Sequence, residues 1–249
     1  MSITRPHGDE FRRNPLIAKL QTVAELPEDD LKALGDLCGD ARDVGARRHI
    51  IREGERPDHV HLVVEGWAAR YKLLPDGARQ ITALLLPGDF CDVHVTILGE
   101  MDHSIATLTR AKVAYIPRDR MDALAERPKL TRALWWATLV DEAVLRAWIV
   151  NIGRRDAYEA IGHLICELHC RMKNVGRAAD HAFELPLTQE EFADALGLTP
   201  VHVNRVLQRL RAEGLITLKR GALEILDYPR LEAAAGFNSN YLHIEQRLS

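Results

Sequence analysis

The sequence predicts an α+β chain in three parts: an antiparallel β jelly roll preceded by short helices, one long helix, and a compact helical head closed by a β-hairpin. Three observations carry this. Residues 44–117 fall into short alternating apolar runs broken by glycine and proline, residues 129–151 are apolar at helical spacing without glycine or proline, and residues 187–226 read helix, turn, helix, hairpin.

Length and charge set the outer bounds. With 249 residues the chain can bury two cores, and its net charge of −3 does not advertise a polyanionic partner. Affinity for one would have to come from local placement of charge. No stretch approaches the roughly 20 apolar residues of a membrane helix. The polar start MSITRPHGDEFRRN lacks the apolar core of a signal peptide, so a cytoplasmic location and no membrane partner are expected. Cys38, Cys91, Cys166 and Cys170 form no CxxC pair, and reduced thiols are the default.

Taken in order, Leu16, Ile17, Leu20 and Val23 recur at helical spacing, so Pro15 to about Leu37 reads as a helical lead, with a second helix starting near Leu31 after Pro27. Strands are expected at 60–64, 68–74, 80–86 and 112–116, with turns at Gly54, Gly66, Pro75 to Gly77, and Pro87-Gly88. A long helix runs from Lys129 to about Asn151 and a further helix from Arg154 to about Met172. Within the long helix Leu130, Ala137 and Val144 recur by sevens, as do Ala133, Val140 and Ala147. This is a seam of small and branched residues suited to pairing with the same helix of a second subunit. Leu134, Trp135, Leu145, Trp148 and Ile149 widen the apolar girth, which leaves open a helix buried wholly within one chain. Asp141-Glu142 reads as a solvated step or an interhelical pair.

The head is the most specific segment. In LTQEEFADALGLTPVHVNRVLQRLRAEGL, Thr188 and Glu191 form a capping box, Gly197 ends the first helix, and Thr199 with Pro200 starts the second. Val203, Val206 or Leu207, and Leu210 face inward, leaving Val201, His202, Asn204, Arg205, Gln208 and Arg209 outside. An outer face of arginine, amide and small apolar groups suits a major groove: Arg forks onto guanine, Asn pairs with adenine, and a Val methyl meets thymine. The alternative is a helical hairpin with solvated arginines. The hairpin from Leu215 to Leu226, with Lys219 and Arg220 at its tip, favours a DNA-reading winged helix-turn-helix, the two cations lying near phosphates.

Sheet domain, long helix and winged head, in that order, resemble the catabolite activator and fumarate-nitrate regulator (Crp/Fnr) family of bacterial transcription regulators. The resemblance spans nearly the whole chain and rests on Leu86-Pro-Gly-Asp-Phe90, Val63-Val-Glu-Gly66, Ser104, and Leu196-Gly-Leu-Thr199 through Arg205. It implies a cyclic-nucleotide-binding-like β-roll with lead helices at 1–127, a dimerisation helix at 128–152, and a winged head at 153–249. It also implies a homodimer on a two-fold double-stranded operator, contact with RNA polymerase, and no enzymatic activity. Val201, Asn204 and Arg205 stand where the family reads bases. Thr188, Gln189, Thr199, His202, Gln208, Arg209, Lys219 and Arg220 are the expected phosphate contacts. The implied effector pocket is Gly88, Asp89, Val93, His94, His103 and Ser104.

Departures from the family are as informative. Where cyclic-nucleotide binders carry Gly-Glu for the ribose and Arg-Ser for the phosphate, this chain has Asp92-Val93 and His103-Ser104. Val93 cannot accept a ribose hydroxyl, His103 lacks a permanent forked charge, and Asp92 is expected to set negative charge against a phosphate. Cyclic AMP and cyclic GMP should therefore bind weakly or not at all. In the head only Arg205 of the usual Glu, Ser or Gly, and Arg set is kept.

No cofactor is the default, with three alternatives. An iron-sulfur cluster would need four remote cysteines to converge. Cys91 and His94 fall in the loop where haem-based relatives hold iron. His59, His61, Glu65 and His94 resemble the metal set of cupin enzymes, which share the jelly roll, but with the glycine spacing one short.

Overall fold

The computed structural model describes residues 14–244. The polar start MSITRPHGDEFRRN, on which the absence of a signal peptide is expected, lies outside them except for Asn14. Internal contacts divide the chain into two compact units. Among the described residues, one holds 14–68 and Leu85–Thr138, the other Ala69–Leu84 and Leu139–His243. This division falls between Thr138 and Leu139, inside the long helix.

In the first unit, Asn14 caps α1 (Pro15–Gln21) by accepting the N–H groups of Leu16 and Ile17 at 3.0 and 3.3 Å. Leu16, Ile17 and Leu20 are fully buried. Helix α2 (Glu28–Leu37) begins three residues earlier than the spacing alone suggests. Glu28, Asp29 and Asp30 sit in its first turn, where the helix dipole favours carboxylates. Strands β1 (Ala41–Val44), β2 (His49–Ile51) and β3 (His59–Glu65) follow; β4 (Ala68–Leu73) and β5 (Arg79–Leu85), next in the chain, belong almost wholly to the second unit. After the four-residue helix α3 (Val95–Leu98) come β6 (Ser104–Thr107), β7 (Ala111–Pro117) and α4 (Arg118–Ala125). One sheet has the order β1-β7-β3, all antiparallel, while β2 pairs with β6 across a register shift. Val60 to Val63 are all buried, as in a strand covered on both faces.

The Pro87-Gly88 turn closes this unit. Gly88 has φ +90°, and a Cβ there would lie 2.7 Å from the Pro15 carbonyl, so only glycine fits against α1. Beside it Asp89 accepts from Lys19 Nζ at 2.6 Å and from the Leu86 N–H at 2.8 Å. Gly88 and Asp89, two of the six residues expected in an effector pocket, tie the turn to the lead helix and to the turn's own backbone.

The long helix α5 runs Pro128–Arg154, and α6 (Ala157–Asn174) follows. Asp156 and Glu159 form a capping box at the start of α6, which is why the break falls there and not after Asn151. The residues of the expected seam differ in burial. Leu130, Ala133 and Val144 are buried within the chain, and Ala137, Val140 and Ala147 are half-buried. Small residues that would let two subunits approach serve here to bring the helix close to its own chain. The uncovered apolar stripe is Trp135, Leu139, Ile149 and Ile152, with Trp135 and Ile149 about 70 and 71% exposed.

In the second unit the β4–β5 hairpin packs with the C-terminal elements. Arg70 pairs with Asp141, so Asp141 is not a solvated step, and Arg79 Nε lies 2.7 Å from Asp194. Gly162 of α6 allows close packing against α9 (Tyr228–Ala235), where an added Cβ would meet that of Ala235 at 3.0 Å. A buried hub centres on Glu167, whose carboxylate accepts from Trp148 Nε1 (3.1 Å), Tyr241 Oη (2.9 Å) and Arg171 (3.1 Å). Arg171 also donates to the Leu84 carbonyl at 2.8 Å. Burial outweighs these donors and pushes the Glu167 carboxyl above its usual range.

Candidate nucleic-acid interface and effector loop

Helix α7 (Gln189–Leu196) starts at Thr188, whose hydroxyl accepts the Glu191 N–H at 3.1 Å while Glu191 accepts the Thr188 N–H at 2.7 Å. Gly197 is left-handed, with φ 65° and ψ 33°, and turns the chain into α8 (Pro200–Ala212). Thr199 caps α8 through the His202 N–H at 3.3 Å, with Pro200 in the first turn. Phe192 and Leu196 of α7 are buried, as are Val203, Val206, Leu207 and Leu210 of α8, so both Val206 and Leu207 belong to the inward face.

The outer face carries the residues named from sequence, in unlike states of readiness. Val201 is 78% exposed. Asn204 is half-buried and its Oδ1 accepts from Gln189 Nε2 at 3.2 Å, which fixes the amide plane from the neighbouring helix. Arg205 is exposed, and among the described residues its guanidinium has no hydrogen-bond or ion-pair partner. Arg209 differs: its Nε lies 2.8 Å from Glu213, and its guanidinium carbon sits 4.2 Å from the Tyr158 ring centre. Tyr158 also donates to Glu213, and burial with that contact raises its phenol to about 12. His202 and Gln208 are exposed.

The wing forms as the alternation implies. Strands β10 (Ile216–Lys219) and β11 (Ala222–Ile225) pair antiparallel, with Arg220 and Gly221 at φ 52° and 80°, two consecutive positive values of the kind a tight two-residue hairpin requires. Lys219 and Arg220 are exposed at its tip. Two further strands, β8 (Ala178–Ala179) and β9 (Ala182–Glu184), extend this sheet to the order β10-β11-β9-β8 and escaped the sequence reading. Segments of two and three residues carry no periodicity to detect.

The effector loop requires one correction. Asp92 is fully buried and accepts both the His61 N–H, at 2.7 Å, and His61 Nδ1, at 2.5 Å. Its charge is therefore turned inward, away from any ligand. An exposed carboxylate of the loop is Asp102, bonded to His103 Nδ1 at 2.5 Å, a contact that holds its carboxyl below the ordinary range. Val93 and His94 are half-exposed, and the buried Ser104 Oγ accepts the Glu53 N–H at 3.1 Å.

The cupin-like set does not come together. His61 is bound to Asp92, Glu65 pairs with Lys112 at 3.3 Å, and His59 with His61 borders an open cleft of about 510 Å³ that includes Arg42, Arg56 and Tyr115. His94 instead neighbours His103, with ring centres 5.2 Å apart. Cys91 is fully buried, its N–H bonded to the His61 carbonyl at 2.7 Å. Cys38 accepts from Asn14, Cys170 contacts Tyr228, and burial drives the Cys166 thiol well above its ordinary range.

Fold and head together define a winged-helix DNA-binding regulator with a cyclic-nucleotide-binding-type sheet domain. A Crp-like helix-turn-helix domain model matches residues 159–234, and a cyclic nucleotide-binding domain model matches residues 41–127. The nitrogen fixation regulation protein FixK of Bradyrhizobium diazoefficiens is 34% identical over 75% of this chain and 78% of its own length. The transcriptional activator protein FnrL of Cereibacter sphaeroides is 31% identical over 80% of this chain and 82% of its own. The structure of FixK2 from Bradyrhizobium japonicum superposes with a TM-score of 0.69 at 25% identity, covering 78% of this chain and 96% of that one. The chain belongs to the Crp/Fnr family of transcription regulators and is not an enzyme.

Proposed function

We propose that the protein acts in the cytoplasm as a homodimer, paired along the exposed stripe of α5, that sets two α8 helices into successive major grooves of a two-fold operator. The observation that carries this reading is Arg205, exposed on the outer face of α8 without a partner among the described residues, beside Val201 and Asn204. Arg205 favours guanine; Val201 in place of the family's usual glutamate changes the base preferred at its position. Thr188, Gln189, Thr199, His202, Gln208, Arg209, Lys219 and Arg220 bind phosphates and set the register. The relatives named as activators support contact with RNA polymerase.

Cyclic AMP is not the effector in this reading. Val93 offers no acceptor to a ribose, and the ionised Asp102 beside His103 repels a cyclic phosphate. The test is selection of bound duplexes from a randomised pool at moderate ionic strength, together with sedimentation of the free protein and a calorimetric titration with cyclic AMP. A dimer enriching a two-fold site, with no cyclic AMP heat, is expected. A monomer without sequence preference overturns the operator reading, and micromolar cyclic AMP binding overturns the effector reading.

A further inference from the structure

We propose that His94, Asp102 and His103 form a binding site for a divalent transition-metal ion of borderline softness, such as Zn²⁺ or Co²⁺, at the mouth of the effector loop. One ligand atom from each residue lies within 4.8 Å of the other two, and no other set of three His, Cys, Asp or Glu residues converges in this way among the described residues. Ligand atoms about 2.0–2.2 Å from a shared tetrahedral ion are roughly 3.3 Å apart. Closing the set therefore requires only small side-chain rotations. The His94 and His103 rings are neighbours, with centres 5.2 Å apart and planes tilted by 41°.

The backbone presents these groups from two anchored arms. His94 follows the buried Cys91 and Asp92, the latter pinned by both the main chain and the ring of His61. Val95, immediately beyond His94, is buried and its N–H returns to the Asp92 carbonyl at 3.0 Å. On the other arm, Met101 is buried and exchanges backbone hydrogen bonds with Gly54 and Glu55 at 2.7 and 2.9 Å. Ser104 accepts the Glu53 N–H. Asp102 and His103 are thus held between two fixed points, as a preorganised ligand pair needs to be.

The chemistry selects the ion class. Two imidazoles with one carboxylate suit Zn²⁺, Co²⁺ or Ni²⁺, whereas Mg²⁺ and Ca²⁺ take oxygen ligands. The carboxylate of Asp102 lies 2.5 Å from His103 Nδ1, so an ion that displaces the proton held between them gains the nitrogen and the anionic oxygen as neighbouring ligands. Three protein ligands leave coordination positions for water or a small anion.

Full-length protein stripped with a chelator is titrated with Co²⁺, followed by visible absorption, and with Zn²⁺, followed by calorimetry. One ion per protomer is expected, with the Co²⁺ bands displaced by Zn²⁺. His94→Ala and His103→Ala should each weaken Zn²⁺ binding about tenfold or more, and Asp102→Asn about 10- to 100-fold. His59→Ala, in the neighbouring cleft, should leave it unchanged. Asp102 is exposed, so its variant tests the site without disturbing the core, and circular dichroism confirms the fold of each protein. No uptake at micromolar free Zn²⁺, or affinity unchanged in the double histidine variant, overturns the proposal. Metal binding is read without DNA, so its failure leaves the operator reading standing.

Discussion

Replacing Arg205 by alanine separates base reading from general attraction to DNA. The side chain is exposed and has no partner among the described residues, so its loss breaks nothing in the free protein. Stability should stay within about 0.5 kcal/mol of the parent. A bidentate arginine–guanine contact contributes about 1–3 kcal/mol of discrimination. Two well-separated half-sites add, giving about 2–6 kcal/mol, or roughly 30-fold to 10⁴-fold, on the selected operator. On a scrambled duplex only the electrostatic part is lost. Fluorescence anisotropy with both duplexes at two salt concentrations reads the difference. Equal losses on the two duplexes would refute base reading and make Arg205 a phosphate clamp. Arg209→Ala is the control, since its guanidinium is engaged by Glu213 and Tyr158, and it should weaken both duplexes alike.

Removing a single partner from the Glu167 hub leaves the Trp148, Tyr241 and Arg171 donors buried without their acceptor; Glu167→Ala should cost about 3–5 kcal/mol by urea denaturation, and a loss below about 1 kcal/mol would show that the hub is not structural. Burial lowers the His163 imidazole from 6.5 to about 4. The folded state therefore keeps it neutral while the unfolded chain takes up the proton first, so stability should fall as pH drops from 6.5 towards 4 and fall less in His163→Phe. An unaltered pH profile in that variant would remove His163 from the account. Aspartate at both Trp135 and Ile149 should convert a dimer to a monomer in sedimentation and abolish operator binding, and a variant that remains dimeric would move the interface elsewhere on the protein.

Much of the architecture is legible because it is written in local chemistry. Thr188 with Glu191, Gly197, and Thr199 with Pro200 mark the ends of α7 and α8 through hydrogen bonds made within four residues, and Arg220-Gly221 marks the hairpin tip in the same way. What escaped depends on tertiary placement. A heptad of small residues does not reveal whether a second subunit or the chain itself approaches, and Leu130, Ala133 and Val144 turned inward. The direction of Asp92 was hidden because its partner, His61, lies on β3 31 positions earlier. Glu167 looked like any charged residue on a helix until Trp148, Tyr241 and Arg171 closed on it. His94 and His103 could be placed near one loop, but not their convergence with Asp102.

The attachment of Arg209 to Glu213 and of Tyr158 to the same carboxylate has a thermodynamic consequence for recognition. These side chains surrender their freedom when the polypeptide folds, not when it meets a duplex, so the ordering penalty of association falls chiefly on the few tips ahead of them. A head held at Arg209, Tyr158 and Glu213, and at Asn204 by Gln189, leaves chiefly Arg205 to be ordered when a duplex is bound.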